Sequence, residues 1–236
     1  MAAATEGLRE RKKRQTREAI AHAAMTLFAA HGFDAVTVAD VARAADVSEK
    51  TVFNYFPAKE DLVLHRGEER RAALIAAIRT RAPGVSIVEP FRAATLEFVE
   101  SVEHDPIESI VAVPRLVAGS RSLRNRLFLG WEEEAARLAP VIAEETGAPE
   151  GDLVPAVIAR TLAWTHRLVF RASFQRLLAG EDQRVVAADL REQAHRAYEA
   201  LEQGLAGYGA APVTHRRRRT SVLPRQDGGR PTFDPS

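Results

Sequence analysis

Cysteine is absent from all 236 residues, so the chain can form no disulfide, no thiolate metal site and no cysteine nucleophile. Apolar residues make up 46% of it, yet no run of them approaches the roughly 18 that would suggest a membrane span. A secretory leader is not expected, because "MAAATEGL" leads into a basic run where an apolar segment would have to stand. Catalytic signatures are missing too. There is no Gly-rich phosphate loop, no H-E-x-x-H and no G-x-S-x-G, and "VAGSRS" fails the spacing of the last. Glu132, Glu133 and Glu134 are consecutive, so on a helix they point in different directions and make no carboxylate pair. These absences leave a cytoplasmic, non-enzymatic protein with no membrane partner, no cofactor and no metal as the expectation.

Net charge is also small, +1, but its distribution is uneven. Residues 9–17, "RERKKRQTR", hold six basic residues and one acidic, and residues 208–236 hold six arginines against Asp227 and Asp234. The rest carries 21 basic and 29 acidic residues, a balance of −8. An acidic body with a basic N-terminal arm suits a polyanion partner at that end.

Periodicity is helical almost throughout, and the expected class is all-α with about nine helices. A first helix is expected from about Arg11 to His31, burying Ile20, Ala24, Leu27 and Phe28, with Gly32 as its stop. Thr37 reads as an N-cap with Asp40 as a capping-box carboxylate, and Ser48 as the next N-cap. The helix that Ser48 opens must end by Phe56, because Pro57 follows. Longer helices are expected from Ala58 to the stop at Pro83, Ile87 to His104, Ile107 to Ala118, Ser122 to Thr146, Leu153 to Leu178 and Arg184 to Gly207. The boundaries divide the chain into a flexible N-terminus (1–10), a helix-turn-helix unit (11–57), a larger helical body (58–207) and a disordered basic tail (208–236).

In "VSEKTVFNYF", residues 47–56, about 100° per residue sets Val52 and Phe56 on one face, with Val47 supporting them. Lys50 and Asn54 point away from that face, flanked by Thr51 and Phe53, with Tyr55 at the margin. A solvated helix face rarely centres on a phenylalanine. A DNA-reading face can use each group: Lys50 for phosphate or guanine, Asn54 for adenine, Phe53 or Thr51 for a thymine methyl. Lys59 follows within reach of the DNA backbone.

Over about residues 11–64 the sequence resembles the DNA-binding domain of TetR-family transcriptional regulators, through "AAMTLFAAHGFDAVTVADVARAADVSEKTVFNYFPAKEDLV". The resemblance implies phosphate contacts at Thr37 and Lys59. It also places Ser48, Lys50, Thr51, Phe53, Asn54 and Tyr55 on the recognition helix and its cap. Phe53 stands where the family often has Tyr, and Asn54 and Tyr55 where an aromatic and a His are common, so the operator sequence is not implied.

For residues 65–207 the resemblance implies a helical ligand-sensing and dimerisation domain. Its last two helices, carrying Leu162, Val169, Leu177, Leu190, Tyr198 and Leu201, would form a four-helix bundle with a twin. Two recognition helices would then lie about 34 Å apart, matching a palindromic double-stranded DNA operator. Phe98, Val102, Phe128, Trp131, Trp164 and Phe170 are the candidate ligand wall, with His166 and Arg167 or Arg171 as possible holders of an acid group. The stretch "SRSLRNRLFLGWEEEAARLAPVIAEETG" resembles a subgroup that senses acyl-CoA-like ligands. The implied function is a repressor released by a small-molecule effector. A ligand-independent DNA-binding or protein-interaction module is the alternative.

Overall fold

Local hydrogen-bonding chemistry sets where each helix of the computed structural model starts and stops, over the described residues 7–204. Among them there are ten helices and no strand. They are α1 (Leu8–His31), α2 (Val38–Ala44), α3 (Glu49–Tyr55), α4 (Asp61–Leu64), α5 (Arg66–Arg79), α6 (Val88–His104), α7 (Ile107–Gly119), α8 (Arg121–Thr146), α9 (Val154–Leu178) and α10 (Gln183–Glu202).

Helix α1 starts three residues before the expected Arg11, because Gly7 takes the extended cap conformation and its carbonyl accepts from Arg11 N at 3.1 Å. Leu8–Glu10 are therefore helical, while residues 1–6 of the expected flexible N-terminus and the tail expected over 208–236 lie outside the described residues. The tenth helix arises from a split. Residues 58–82 were expected as one helix, but its first turns are tightened by i to i+3 bonds from Asp61, Leu62 and Val63, and His65 Nδ1 donates back to Leu62 O. His65, the single turn residue between α4 and α5, keeps helical dihedrals (φ −57°, ψ −31°).

The turn between α2 and α3 closes on a residue the spacing did not single out. Asp46 has φ 53°, with Val47 N donating to Ala42 O at 3.0 Å and Asp46 N to Arg43 O at 3.3 Å. This is a Schellman ending with aspartate where glycine is usual. Asp46→Val should cost about 1–2 kcal/mol, because a β-branched side chain is strained in the left-handed region. Urea unfolding of that variant against Asp46→Gly checks it, with the glycine variant expected close to wild type.

Three apolar clusters hold the helices together. The first is built by α1–α4, through Ile20, Phe28, Phe33, Val41, Val52, Phe56 and Leu62, all nearly inaccessible to water. It also contains Leu123 from α8, flanked by Val113, Leu116 and Val117 of α7. The second joins Ile78, Phe91, Leu138, Ile142, Leu162 and Tyr198, and the third Val99, Val102, Val111, Val169 and Leu190.

These clusters correct one expectation. Leu162, Val169, Leu177, Leu190 and Tyr198 are buried within their own chain and Leu201 partly so, because α10 packs along α6 and α9 along α8. Among the described body helices, exposed large apolar side chains lie mainly on α8 and α9 instead, with Val185 of α10 besides. There Phe128 is 54% exposed, Val157 61%, Trp164 44% and Leu168 52%.

Candidate nucleic-acid interface

Helices α1, α2 and α4 form the frame that presents α3. The N-terminus of α2 is fixed by a complete capping box: Asp40 N donates to Thr37 Oγ1 (3.2 Å), while Thr37 N and Thr37 Oγ1 donate to Asp40 Oδ2 (2.9 and 2.6 Å). The Thr37 hydroxyl and amide hold the Asp40 carboxyl below its usual range, with Arg43 assisting. At α3, Ser48 Oγ accepts from Thr51 N at 3.1 Å and lies 2.8 Å from Thr51 Oγ1. Val52 and Phe56 are buried beneath the helix, and the Arg17 guanidinium stacks over Phe56 at 5.3 Å while pairing with Glu69 at 2.7 Å.

With one side so anchored, α3 leaves Lys50 and Asn54 exposed, and Phe53 is 46% exposed. An exposed ring flanked by a cation and an amide has no ring or ion-pair partner among the described residues to explain it. The arrangement can offer donors, an acceptor and an apolar edge to base edges in a major groove. The other expected contacts stand differently. Thr37 and Ser48 act as caps, Thr51 is tied to Ser48, and Tyr55 packs its ring partly against the first cluster. Lys59 folds inward: Nζ donates to Phe33 O at 2.7 Å and lies over the Phe33 ring at 4.3 Å, and burial lowers its pKa. The basic residues Arg9, Arg11, Lys12, Lys13 and Arg14 lie exposed along the first turns of α1.

Several residues that couple this head to the other helices carry no distinctive sequence signal. Ser120 is buried, caps α8 and donates to Asp34 Oδ1 at 2.9 Å. Arg126 pairs with Asp61 at 3.1 Å, and Asp61 also accepts from Ala58 N at the start of the α4 turn. Only Ser120 had a readable mark, as a serine before a helical run; the expected start of α8 at Ser122 passed over it.

The six candidate ligand-wall residues do not form one site. Val102 is sealed in the third cluster. Phe128, Trp131 and Trp164 form an outer patch, with centroid separations of 6.0 and 6.4 Å. Phe98 and Phe170 meet at 4.7 Å beside His166. There Tyr198 OH lies 2.7 Å from Thr95 Oγ1, which lies 2.8 Å from both Phe91 O and His166 Nδ1. One arrangement satisfies all three: Thr95 donates to Phe91 O and accepts from Tyr198 and from His166 Nδ1–H. Burial, with Arg70 and Arg167 adding repulsion, pushes the His166 pKa down to about 4 from an ordinary 6.5.

The folded chain therefore binds fewer protons at this group than the unfolded chain between those values, so stability is lost as pH falls from about 6.5 towards 4. Urea midpoints measured across that window should fall more steeply for wild type than for His166→Gln. His65, also held low by burial, is common to both and cancels in the comparison.

Comparison with known proteins agrees with this geometry. Residues 20–65 match the model described as "Bacterial regulatory proteins, tetR family". The chain is 30% identical over 176 residues to the HTH-type transcriptional regulator TcmR of Streptomyces glaucescens, a match covering 72% of this chain and 78% of that protein. It is 28% identical over 201 residues to the protein named MftR from Mycobacterium tuberculosis, covering 83% of this chain and 93% of MftR. Among solved structures, native NalD, the secondary repressor of the MexAB-OprM multidrug efflux pump in Pseudomonas aeruginosa, shares the fold. Its TM-score is 0.51 at 20% identity, over 78% of this chain and 97% of that one. With a helix-turn-helix presented by α1–α4 and a relative of this similarity over most of both lengths, the chain belongs to the TetR family of bacterial transcriptional regulators.

Proposed function

We propose that the chain is a homodimeric repressor that leaves a palindromic operator when a small lipophilic or acyl-CoA-like effector binds the body beyond about residue 58. The observation that carries this reading is the divided helix α3: Val52 is buried, whereas Lys50, Phe53 and Asn54 stand in solvent. The remaining expected contacts serve it indirectly, Thr37, Ser48 and Thr51 by holding the helix ends that face phosphate.

The outer patch of α8 and α9 supports a second copy as the partner. Trp164 and Leu168 are one helical turn apart, Val157 lies two turns before Trp164, and Phe128 and Trp131 continue the patch onto α8. A two-fold axis through this surface would let each copy cover the other's patch, and α9 with α8 replaces the expected α9 with α10. Effector binding would act through α4–α5 and the start of α8, where Leu123, Ser120 and Arg126 grip the head.

Selecting fragments of genomic DNA on the full chain tests the proposal. Enriched fragments should share an inverted repeat with half-site centres about one helical turn apart. Enrichment without any shared inverted repeat would refute it.

A further inference from the structure

Helix α1 runs further than the head requires. Its first buried residue is Ile20 and the first out of full solvent is Thr16, so residues 8–15 are all exposed. They extend about 12 Å beyond the packed part at about 1.5 Å per residue. The row that carries Ile20 inward continues towards the N-terminus as Arg17, Lys13 and Arg9, at spacings of three or four residues. Arg17 is still engaged, over the Phe56 ring at the end of α3 and on Glu69 of α5. Lys13 and Arg9 stand about 6 and 12 Å further along the axis. Neither these two side chains nor that of Lys12 beside them makes a hydrogen bond or ion pair among the described residues.

Local physics opposes this arrangement. Arg9 and Arg11 occupy the first turn, where the helix dipole favours anions, and Glu10 is the acidic residue there. Arg9 precedes Lys12 and Lys13 by three and four residues, so like charges are neighbours on the helix surface. Gly7 adds no side-chain cap. The first turns of α1 thus carry charge that their own helix does not stabilise, and cations unsupported by the fold suit a partner of opposite sign. Leu8 is the single large apolar residue among residues 8–15, so they offer no apolar face for a protein or a lipid surface to cover.

We propose that this basic overhang holds the DNA phosphates flanking each half-site, Arg9, Lys12 and Lys13 contacting backbone and not bases. A major groove that receives α3 is bounded by phosphate strands near the helix ends, and the overhang begins beside the end of α3 marked by Phe56. Its length of about 12 Å spans about three to four base pairs at about 3.4 Å each. The proposal rests on α3 reading half-sites in a homodimer, and it adds a sequence-independent contact outside the inverted repeat. Three cations per copy bring six to the dimer, enough to steepen the salt dependence of binding by up to about 5.

DNA affinity of the full chain, wild type and Arg9→Gln/Lys12→Gln/Lys13→Gln, measured between about 50 and 200 mM salt tests this. The duplexes carry the selected inverted repeat with about ten flanking base pairs on each side or with none, and an unrelated duplex has the longer length. The triple variant should keep its thermal midpoint and show a salt slope shallower by about 2–5 on both long duplexes. Removing the flanks should cost wild type roughly tenfold in affinity and the variant less than about threefold. Arg9→Lys should behave as wild type, since phosphate accepts either cation. An unchanged salt slope in the triple variant, or equal losses for both proteins on removing the flanks, would overturn the proposal. So would a base preference outside the repeat that Arg9→Lys loses, because it would make the overhang a reader of bases. Equal affinity for the repeat and the unrelated duplex would count against the repressor reading alone, since the salt slope on the unrelated duplex still reports the phosphate contacts.

Discussion

Leu123→Ala should destabilise the chain by about 2–5 kcal/mol, the range for removing a fully enclosed leucine side chain and leaving a cavity. Leu123 belongs to α8, yet it has no exposed surface and lies in the cluster built by α1–α4. Its backbone position is fixed by the buried Ser120 cap, and Ser120 is itself bonded to Asp34 in the loop after α1. The cavity would therefore open where the head meets α7 and α8, with little freedom to collapse because polar contacts pin both sides. Ser120→Ala removes the bond to Asp34 and the cap on Leu123 N but opens almost no cavity, and should cost about 1–2 kcal/mol. Urea denaturation of both variants measures the difference. A loss below about 1 kcal/mol for Leu123→Ala would mean that Leu123 does not anchor the head to α8. The same substitution is expected to weaken the effector's influence on DNA more than it weakens DNA binding without effector, since α3 keeps its own frame in Val52, Phe56 and Phe28.

The head was legible in the sequence because its structure is decided locally. Gly32, Thr37 with Asp40, and Ser48 fix helix ends through groups a few residues apart, and all three are found in those roles. Val52 and Phe56 were placed inward by helical spacing alone and are 1% exposed. Asp46 escaped notice because aspartate is only an occasional occupant of the left-handed region, so its identity does not announce its backbone angle. Lys59 was read as a contact to the DNA backbone; its ammonium bonds Phe33 O, 26 residues earlier, and no local pattern encodes that pairing.

The body was less legible for a related reason. Helices α8, α9 and α10 carry apolar residues on more than one face, and spacing cannot say which face meets the same chain. Leu190 and Tyr198 pack against α6 and its neighbours, whereas Trp164 and Leu168 on α9 stay 44% and 52% exposed. The large rings of the body also lie in different surroundings. Phe128 and Trp164 are on the outside, and Phe98 and Phe170 lie beside His166, which Thr95 holds.

Lys50→Ala and Asn54→Ala should each reduce affinity for the specific operator by about 1–3 kcal/mol per half-site, roughly 5- to 150-fold, with thermal stability unchanged. Both side chains are exposed and make no hydrogen bond or ion pair within the described residues, so their removal takes nothing from the folded chain. What each would lose on DNA differs. Lysine supplies a charge and donors, so Lys50→Ala should also lower the salt dependence of binding, whereas Asn54→Ala should leave the salt slope alone and relax preference at one base pair. Phe53, between them in sequence and 46% exposed, would contribute through an apolar contact such as a thymine methyl. Lys59→Ala provides the contrast. Since its ammonium bonds Phe33 O and stacks on that ring, the variant should lose stability by about 1–3 kcal/mol. Any loss of DNA affinity it shows should be shared by specific and non-specific sequences alike. Full operator affinity in both Lys50→Ala and Asn54→Ala, measured near physiological salt, would place the reading face somewhere other than the outer side of α3.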